Sequence, residues 1–229
     1  MNGRSQKRVD ETLDRIRREH DGARVTGIAA DLGTREGVDL LTRDLPKVDI
    51  LVNNLGIFEI KPFAEIPDED WLRFFEVNVL SGVRLSRFYL PGMLERNWGR
   101  VVFISSESAL NIPVEMIHYG VTKTAQVSLA RGLAELTAGT SVTVNSVLAG
   151  PTRTEGVERF LQEGAKSKGM DVATLEKEFF HSIRPSSLLK RFATPEEVAP
   201  MVVYLSSQLG AATNGAALRV EGGVVRSII

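Results

Sequence analysis

Tyr119 and Lys123 stand four residues apart in the segment Tyr-Gly-Val-Thr-Lys, inside a pattern that predicts a helix. Residues at positions i and i+4 share one face of a helix, so we expect the phenol and the ammonium group side by side. A neighbouring ammonium favours the phenolate, which lowers the pKa of the tyrosine and makes it a usable general acid and base. A pattern this short is more often a chance occurrence of an aromatic residue near a solvated lysine. The neighbouring sequence motifs therefore decide between a catalytic pair and a chance occurrence.

Further polar residues follow short apolar runs or lie in helical patterns. Ser106 comes thirteen residues before Tyr119, at the end of one such run, and Asn53 opens the segment Asn-Asn-Leu-Gly after another. Asn78 lies within a predicted helix, and Thr154 ends the segment Asn-Ser-Val-Leu-Ala-Gly-Pro-Thr-Arg-Thr after a third run. In this order, these residues favour a functional interpretation of Tyr119 and Lys123 over a chance occurrence.

The elements that must position these residues alternate between two kinds. Short runs rich in Val and Ile predict strands buried on both faces, and the longer segments between them have helical spacing. This alternation predicts βαβ units, a parallel sheet and right-handed crossovers. The predicted strands are Arg24–Ala30, Val48–Asn53, Arg100–Ser105, Ser141–Val147 and Ala216–Val220. The predicted helices follow Ser5 as N-cap, cover Thr34–Asp44, run from Glu69 to about Glu95, cover Tyr119–Thr137, and begin at Thr194-Pro195.

One long segment, Ala149–Arg191, interrupts the alternation. It is broken by glycines and prolines and is too long for an ordinary connection between elements. We expect residues 149–191 to form a substrate lid that carries short helices. Its phenylalanines point to a partly apolar pocket.

The composition excludes several other classes of protein. The 229 residues carry 28 Lys and Arg against 29 Asp and Glu, which disfavours nucleic-acid binding by phosphate neutralisation. There is no Cys, and the three histidines are far apart, so no metal site is expected. No stretch approaches the roughly 20 apolar residues of a membrane helix, and the first twenty residues lack the apolar region of a signal peptide. We therefore expect a cytoplasmic protein without a membrane partner.

Taken in order, these residues resemble the short-chain dehydrogenase/reductase family in its single-domain form. The resemblance rests on the serine, tyrosine and lysine at their spacings, on Asn-Asn-x-Gly after a strand, and on the closing Val220–Gly223 segment. It covers the chain from residue 3 onward. It implies an α/β, Rossmann-like, doubly wound and mostly parallel sheet in one domain over residues 1–229. It also implies a homodimer or homotetramer formed through the two long helices.

The resemblance implies a role for each candidate catalytic residue. Tyr119 would donate or accept the substrate proton, and Ser106 would hold the carbonyl or hydroxyl oxygen. Lys123 would lower the pKa of the tyrosine and bind the nicotinamide ribose. Asn78 would hold a water that links the lysine to solvent, and Thr154 would bind the carboxamide. Two hydroxyl donors aimed at an oxygen that gains negative charge would stabilise it.

The remaining candidates concern the adenosine half of a dinucleotide. Asn53 and Gly56 would lie along the adenosine side, and Asp31 with Leu32 resembles the adenine contact of the family, with a helix N-cap as the other interpretation of the aspartate. Where NAD-specific members carry an acid, this chain carries Arg4. An arginine there suits a 2′-phosphate, which favours NADP over NAD, although a solvated arginine at a helix start is also possible.

The chain departs from the family at its phosphate-binding turn. The pattern Thr-Gly-x-x-x-Gly-x-Gly has no counterpart; Thr26–Gly33 resembles it faintly but holds an aspartate where the middle glycine belongs. We therefore expect an N-terminally truncated fold that lacks a βαβ unit of about 30 residues, with strand Val48–Asn53 left unpaired along one edge. A misassigned start codon, a shortened protein and a rearranged sheet, with Arg24–Ala30 in the vacant position, are the three explanations.

Two functions from different classes follow. The first is an NADP(H)-dependent oxidoreductase that interconverts a small carbonyl compound and an alcohol, with hydride supplied by the nicotinamide because no side chain can supply it. The alternative is a catalytically silent relic or interaction protein that binds no dinucleotide. The absence of the glycine-rich turn is the observation that favours this alternative. Binding of NADPH distinguishes the two.

Overall fold

Parallel strands alternate with helices along the chain, as the sequence predicts. The computed structural model describes residues 1–228. The strands are β1 (Asn2–Gly3), β2 (Ile28–Ala29), β3 (Ile50–Asn53), β4 (Gly99–Ser106), β5 (Val142–Ala149) and β6 (Ala217–Val220). The helices are α1 (Gln6–Glu19), α2 (Arg35–Asp44), α3 (Asp68–Phe75), α4 (Ser81–Glu95), α5 (Ile117–Glu135), α6 (Glu155–Lys168), α7 (Val172–Glu178) and α8 (Pro195–Ser206).

Helices cover both faces of the main sheet, which confirms the doubly wound α/β fold. Its strands run in the order β3-β4-β5-β6, all parallel. On one face, side chains of α2, α4 and α5 pack with Val101 and Val144. On the other, α8 packs with Val102 and Val147. These four valines are at most 1% exposed, which explains why β4 and β5 carry buried apolar residues on both faces rather than on one.

Strand β3 corrects the prediction that every strand is buried on both faces. Ile50 and Val52 are 43% and 42% exposed, whereas the intervening Leu51 is buried. Side chains alternate between the faces of a strand, so one face of β3 is covered and the other is open. Within residues 1–228, β3 pairs only with β4, and β1 and β2 form a separate two-stranded parallel sheet.

The pairing of β2 also tests one of the three explanations for the absent glycine-rich turn. The strand predicted over Arg24–Ala30 is only two residues long and pairs with β1, not with β3. The explanation that Arg24–Ala30 occupies a vacant position beside Val48–Asn53 is therefore wrong. The stretch Thr26–Gly33, which faintly resembles a phosphate-binding turn, forms β2 and the turn after it.

Helix caps follow the predictions in part. Ser5 occupies the N-cap position of α1, but its side chain makes no capping hydrogen bond. Thr34 caps α2, where its hydroxyl accepts a hydrogen bond from the Gly37 backbone N–H at 3.1 Å. At the start of α8, the Glu197 carboxylate accepts a hydrogen bond from the Thr194 N–H at 2.9 Å, as a capping box requires.

The helix predicted from Glu69 to about Glu95 is interrupted. Helices α3 and α4 are joined by a π-helical turn, Glu76–Leu80, which widens the helix around Asn78. Single π-helical turns of this kind occur frequently at functional sites. Leu72, Phe75 and Phe88 are exposed on this pair of helices. The homodimer or homotetramer interface expected along them stays a prediction.

The segment predicted as a lid carries helices and a small core of its own. Helices α6 and α7 are followed by a second π-helical turn, Phe179–Ile183. Leu161, Phe180 and Phe192 form a buried cluster beneath them. No helix within residues 1–228 combines the length and the apolar character needed to cross a bilayer.

Candidate active site

The candidate catalytic residues meet at one edge of the main sheet. Asn53 and Ser106 are the last residues of β3 and β4, and Tyr119 and Lys123 lie in the first turns of α5. Carboxyl ends of parallel strands share an edge, and this is where ligands bind in open α/β sheets. The residues singled out from the sequence therefore form a cluster of hydroxyl, ammonium and amide groups at this edge.

Tyr119 is partly buried, and its surroundings reverse the predicted direction of its pKa. The Lys123 Nζ lies 5.6 Å from the centre of the tyrosine ring, and the ring of Phe58 packs edge-on at 6.4 Å. Burial raises the pKa of Tyr119 to about 12, against the smaller lowering effect of the Ser106 hydroxyl. The prediction of a lowered pKa is thus wrong for the chain alone, because desolvation of the phenolate dominates.

Ser106 and Lys123 are both held by main-chain contacts. The Ser106 oxygen accepts a hydrogen bond from the Ser108 N–H at 3.1 Å, which leaves its own O–H free to donate. Lys123 is 6% exposed and donates to the Ile104 carbonyl at 3.0 Å and to Gln126 Oε1 at 3.1 Å. Burial lowers the pKa of Lys123 to about 8. Its ammonium group has three donors, so one more hydrogen bond is available to a ligand.

Asn78 fixes the loop after β3 to helix α5. Its Oδ1 accepts from the Ile57 N–H at 2.7 Å, and its Nδ2 donates to the Ile57 carbonyl and to Thr122 Oγ1, both at 3.0 Å. The side chain is fully buried. Both amide N–H groups are therefore engaged by protein, and the water-holding role stays a prediction. A Cβ on neighbouring Gly56 would lie 3.4 Å from Lys123 Nζ, so this loop passes close to the ammonium group.

Replacement of Asn78 by alanine is expected to destabilise the protein by about 3 kcal/mol, because it leaves buried polar groups of Ile57 and Thr122 without partners. Urea unfolding measures the change. Asn111→Ala is the matched control, since Asn111 is exposed. A loss for Asn78→Ala no larger than that for Asn111→Ala would contradict the clamping role.

The residues predicted to hold the adenosine half are placed differently. Arg4 is exposed between β1 and α1, whereas Leu32 is 7% exposed and packs in the core beneath α2 and α4. Asp31 Oδ1 accepts from the Gly33 N–H at 3.0 Å. The N-cap of α2 is Thr34, so the interpretation of Asp31 as a helix N-cap is wrong.

Two further residues bear on whether a dinucleotide fits here. Both side-chain amide atoms of Asn53 are buried and lack hydrogen-bond partners among the described residues. Buried polar atoms are nearly always paired, so this amide fits the polar groups of a ligand. Thr154 caps α6 by accepting from the Val157 N–H at 3.3 Å, and its own O–H remains available as a donor. The donors at the Tyr119 end of the site therefore suit a ribose and a carboxamide.

A buried ion pair beside the site was not predicted from the sequence. Glu107 and Arg184 are 3% and 5% exposed, and the Arg184 Nε donates to Glu107 Oε1 at 2.8 Å. Arg184 Nη1 also donates to Glu115 Oε1 at 3.0 Å. A carboxylate directly after Ser106 is the signal that sequence reasoning passed over. Arg184 lies 77 residues further along the chain, a separation that no local pattern reveals.

Ser106, Tyr119, Thr154 and the Glu107–Arg184 ion pair border one cavity of about 250 Å³. Its walls combine hydroxyl and charged groups with apolar side chains of residues 149–191, and the lid role of that segment stays a prediction. Glu115 and Phe179 also line this cavity.

Comparison with known proteins gives the family. The family model described as enoyl-(acyl carrier protein) reductase matches residues 1–225. The uncharacterized oxidoreductase YvaG of Bacillus subtilis (strain 168) is 50% identical over 228 residues, which cover 100% of this chain and 86% of YvaG. D-beta-hydroxybutyrate dehydrogenase of Cupriavidus necator is 30% identical and is aligned over 89% of this chain and 80% of its own length.

Solved structures agree with this assignment. L-sorbose reductase from Gluconobacter frateurii, complexed with NADPH and L-sorbose, superimposes with a TM-score of 0.91 at 29% identity. The alignment covers 99% of this chain and 86% of that one. The chain belongs to the short-chain dehydrogenase/reductase family of oxidoreductases. Because the family model aligns from residue 1, it gives no support to the predicted loss of an N-terminal glycine-rich unit.

Proposed function

We propose that this chain is an NADP(H)-dependent oxidoreductase that interconverts a carbonyl compound and an alcohol, with Tyr119 as the acid and base. The observation that carries the proposal is that Ser106 and Tyr119 line one cavity, with the Lys123 ammonium 5.6 Å from the centre of the tyrosine ring. The Ser106 hydroxyl is close enough to Tyr119 to act on the pKa of the phenol. Two hydroxyls that face the same space are the donors that carbonyl reduction requires.

The chain's own groups would then manage charge and protons at the substrate oxygen. A bound nicotinamide supplies the hydride, which no side chain can supply. Ser106 Oγ and Tyr119 Oη donate hydrogen bonds to the carbonyl oxygen as negative charge develops on it. Tyr119 then transfers its phenolic proton to that oxygen, and the alcohol product carries it away. Lys123 Nζ, desolvated beside the ring, favours the phenolate that remains.

The proposal assigns the cofactor to residues on both sides of the sheet edge. At the nicotinamide end, we assign the ribose and carboxamide to Tyr119, Lys123 and Thr154. Asn53 and Gly56 lie along the path toward the adenosine, where Asp31 and Leu32 are the proposed adenine contact. Arg4 is proposed to bind the 2′-phosphate. Support comes from the unpartnered Asn53 amide, from the exposed guanidinium of Arg4, and from the NADPH complex of L-sorbose reductase.

The proposed substrate is a small molecule. A cavity of about 250 Å³ is smaller than the roughly 300–1,000 Å³ of typical ligand pockets, so it suits a small ligand. The relatives are consistent with small carbonyl or alcohol substrates, since one is named for D-beta-hydroxybutyrate and one was solved with L-sorbose.

Titration with NADPH and NADH, followed by nicotinamide fluorescence, tests the cofactor assignment. We expect binding near micromolar for NADPH and weaker binding for NADH. The variant Arg4→Ala should lose about tenfold in NADPH affinity with little change for NADH, because the guanidinium contacts only the 2′-phosphate. Arg15→Ala, an exposed arginine of α1, is the matched control.

Absence of binding at millimolar concentrations of both dinucleotides would overturn the proposed function. It would favour the alternative, a catalytically silent member of the family or an interaction protein. The structural observation that favours this alternative is the separation of the β1–β2 sheet from β3. Equal loss of NADPH and NADH binding in Arg4→Ala would reject the role of Arg4 while leaving the oxidoreductase proposal in place.

A further inference from the structure

Glu107 lines the cavity, and one of its two carboxylate oxygens has no hydrogen-bond partner among the described residues. Glu107 is 3% exposed, and its Oε1 accepts hydrogen bonds from Arg184 Nε at 2.8 Å and from Ser108 Oγ at 3.2 Å. Its Oε2 is buried and has no hydrogen-bond partner among the described residues. A buried polar oxygen left unpaired is costly, so a ligand group that satisfies it is strongly favoured.

The position of this oxygen relates it to the reacting centre. Glu107 directly follows Ser106, lines the same cavity as Tyr119, and lies close enough for its charge to act on the pKa of the phenol. A substrate whose carbonyl oxygen meets Ser106 and Tyr119 therefore presents its neighbouring atoms to Glu107. None of the proposed catalytic steps uses Glu107.

The charges around the oxygen decide which ligand group fits. Two carboxylates, Glu107 and Glu115, face the single guanidinium of Arg184, whose Nε and Nη1 are already bonded to them. An anionic substrate would meet two carboxylates against one guanidinium, which is an excess of negative charge. An alkyl chain would leave Oε2 unpaired.

A hydroxyl group satisfies this oxygen in either protonation state. Burial raises the pKa of Glu107, and the Arg184 guanidinium acts against that change. When ionised, Oε2 only accepts hydrogen bonds; when protonated, it can donate one. A hydroxyl both donates and accepts, so it pairs with Oε2 in both cases, whereas a carbonyl or an ammonium group pairs in only one.

We propose that Glu107 Oε2 binds a hydroxyl group of the substrate, so that hydroxyketones and their polyol products are the preferred substrate class over plain alkanones and keto acids. The inference rests on the proposed oxidoreductase function and adds a specificity-determining residue to it. Glu107 selects the substrate by its free oxygen, and Arg184 holds the carboxylate in place.

Three six-carbon compounds with a carbonyl at carbon 2 test the inference: L-sorbose, 2-hexanone and 2-oxohexanoate. Each is assayed with NADPH on the wild type and on Glu107→Gln. We expect the ratio of kcat/KM for L-sorbose over 2-hexanone to fall at least about tenfold in the variant, mostly through KM, because a charged hydrogen bond is replaced by a neutral one. Comparing variants on the same compound cancels the small open-chain fraction of the ketose.

Two further variants separate the free oxygen from the ion pair. Glu115→Gln also removes a carboxylate that contacts Arg184, and it should leave the ratio within about threefold of the wild type. Glu107→Met combined with Arg184→Met removes both buried charges together, which avoids leaving an unpaired ion if Glu107→Gln folds poorly. The double variant should lower the ratio at least as far as Glu107→Gln.

Binding without cofactor provides a readout apart from turnover. Saturation-transfer NMR should detect L-sorbose on the wild type and lose the signal on Glu107→Gln. An unchanged ratio and an unchanged NMR signal in Glu107→Gln would overturn the inference, as would wild-type preference for 2-oxohexanoate. Wild-type reduction of 2-hexanone alone would overturn the inference and keep the oxidoreductase function, whereas no turnover of any of the three by NADPH-bound protein would overturn the proposed function.

Discussion

Replacement of Tyr119 by phenylalanine is expected to lower kcat/KM for carbonyl reduction about a thousandfold, because it removes the proton donor and one of two hydrogen bonds to the developing oxyanion. The ring keeps its packing against Phe58, so the fold and the binding of NADPH should persist. Steady-state kinetics with a reducible ketone measure the loss, and fluorescence titration measures the retained affinity.

The pH dependence of the wild type provides a second test of the same residue. The pKa of Tyr119 is raised to about 12, so the phenol is protonated throughout the ordinary range and reduction should not lose activity through Tyr119 below that value. Oxidation of the alcohol needs the phenolate, so its kcat/KM should rise with pH across the same range. The rise should be absent in Tyr119→Phe.

Tyr204→Phe is the matched control for this substitution. The Tyr204 hydroxyl pairs with Thr213 Oγ1 at 3.2 Å on the surface, outside the cavity wall. Its kinetics should equal those of the wild type. Retention of more than about a tenth of wild-type kcat/KM in Tyr119→Phe would contradict the role of the phenol, since general acid catalysis contributes about a hundredfold or more.

The parts of this molecule that the sequence predicts are those governed by local periodicity. Val and Ile residues identify β4 and β5 because both strands are covered on both faces and carry apolar side chains on each. The spacing of Tyr119 and Lys123 predicts their shared helix face for a similar reason. Residues four apart in a helix lie on one face whatever the tertiary structure around them. The placement of Ser106 and Asn53 at one edge of the sheet is predicted in the same way, because each ends a predicted parallel strand.

Features that depend on residues far apart in the chain could not be predicted from the sequence. At the π-helical turn, the Asn78 amide bonds the Ile57 backbone and Thr122, which are 21 and 44 residues away. Periodicity alone predicts an uninterrupted helix there. The direction of the Tyr119 pKa depends on burial, which no spacing reports. The pairing of Glu107 with Arg184 likewise joins residues that are 77 positions apart in the chain.

Lys123→Met is expected to change both activity and the pH dependence of stability. Loss of the ammonium removes a proposed ribose contact and the charge that favours phenolate, so kcat/KM should fall about a hundredfold or more. The effect on stability has the opposite direction at neutral pH. Lys123 is 6% exposed, and burial of its charge lowers its pKa from 10.5 to about 8.

The sign of the stability effect follows from where each state holds the proton. Below pH 8 both states are protonated, and the folded protein carries the full cost of the buried charge. Between pH 8 and pH 10.5 the unfolded chain is protonated and the folded chain is not, so stability rises with pH. The rise attributable to Lys123 is about 3 kcal/mol, and it is complete above pH 10.5.

Urea unfolding at pH 7, 8, 9 and 10.5 tests this sign. The free energy of unfolding of Lys123→Met minus that of the wild type should decrease by about 3 kcal/mol between pH 7 and pH 10.5, because only the wild type gains stability there. Lys47→Met, at an exposed lysine, is the control and should give a constant difference. A constant difference for Lys123→Met would mean that the ammonium is solvated in the folded protein. It would then be unable to act on Tyr119 through a desolvated charge, and the proposed division of labour between the two residues would fail.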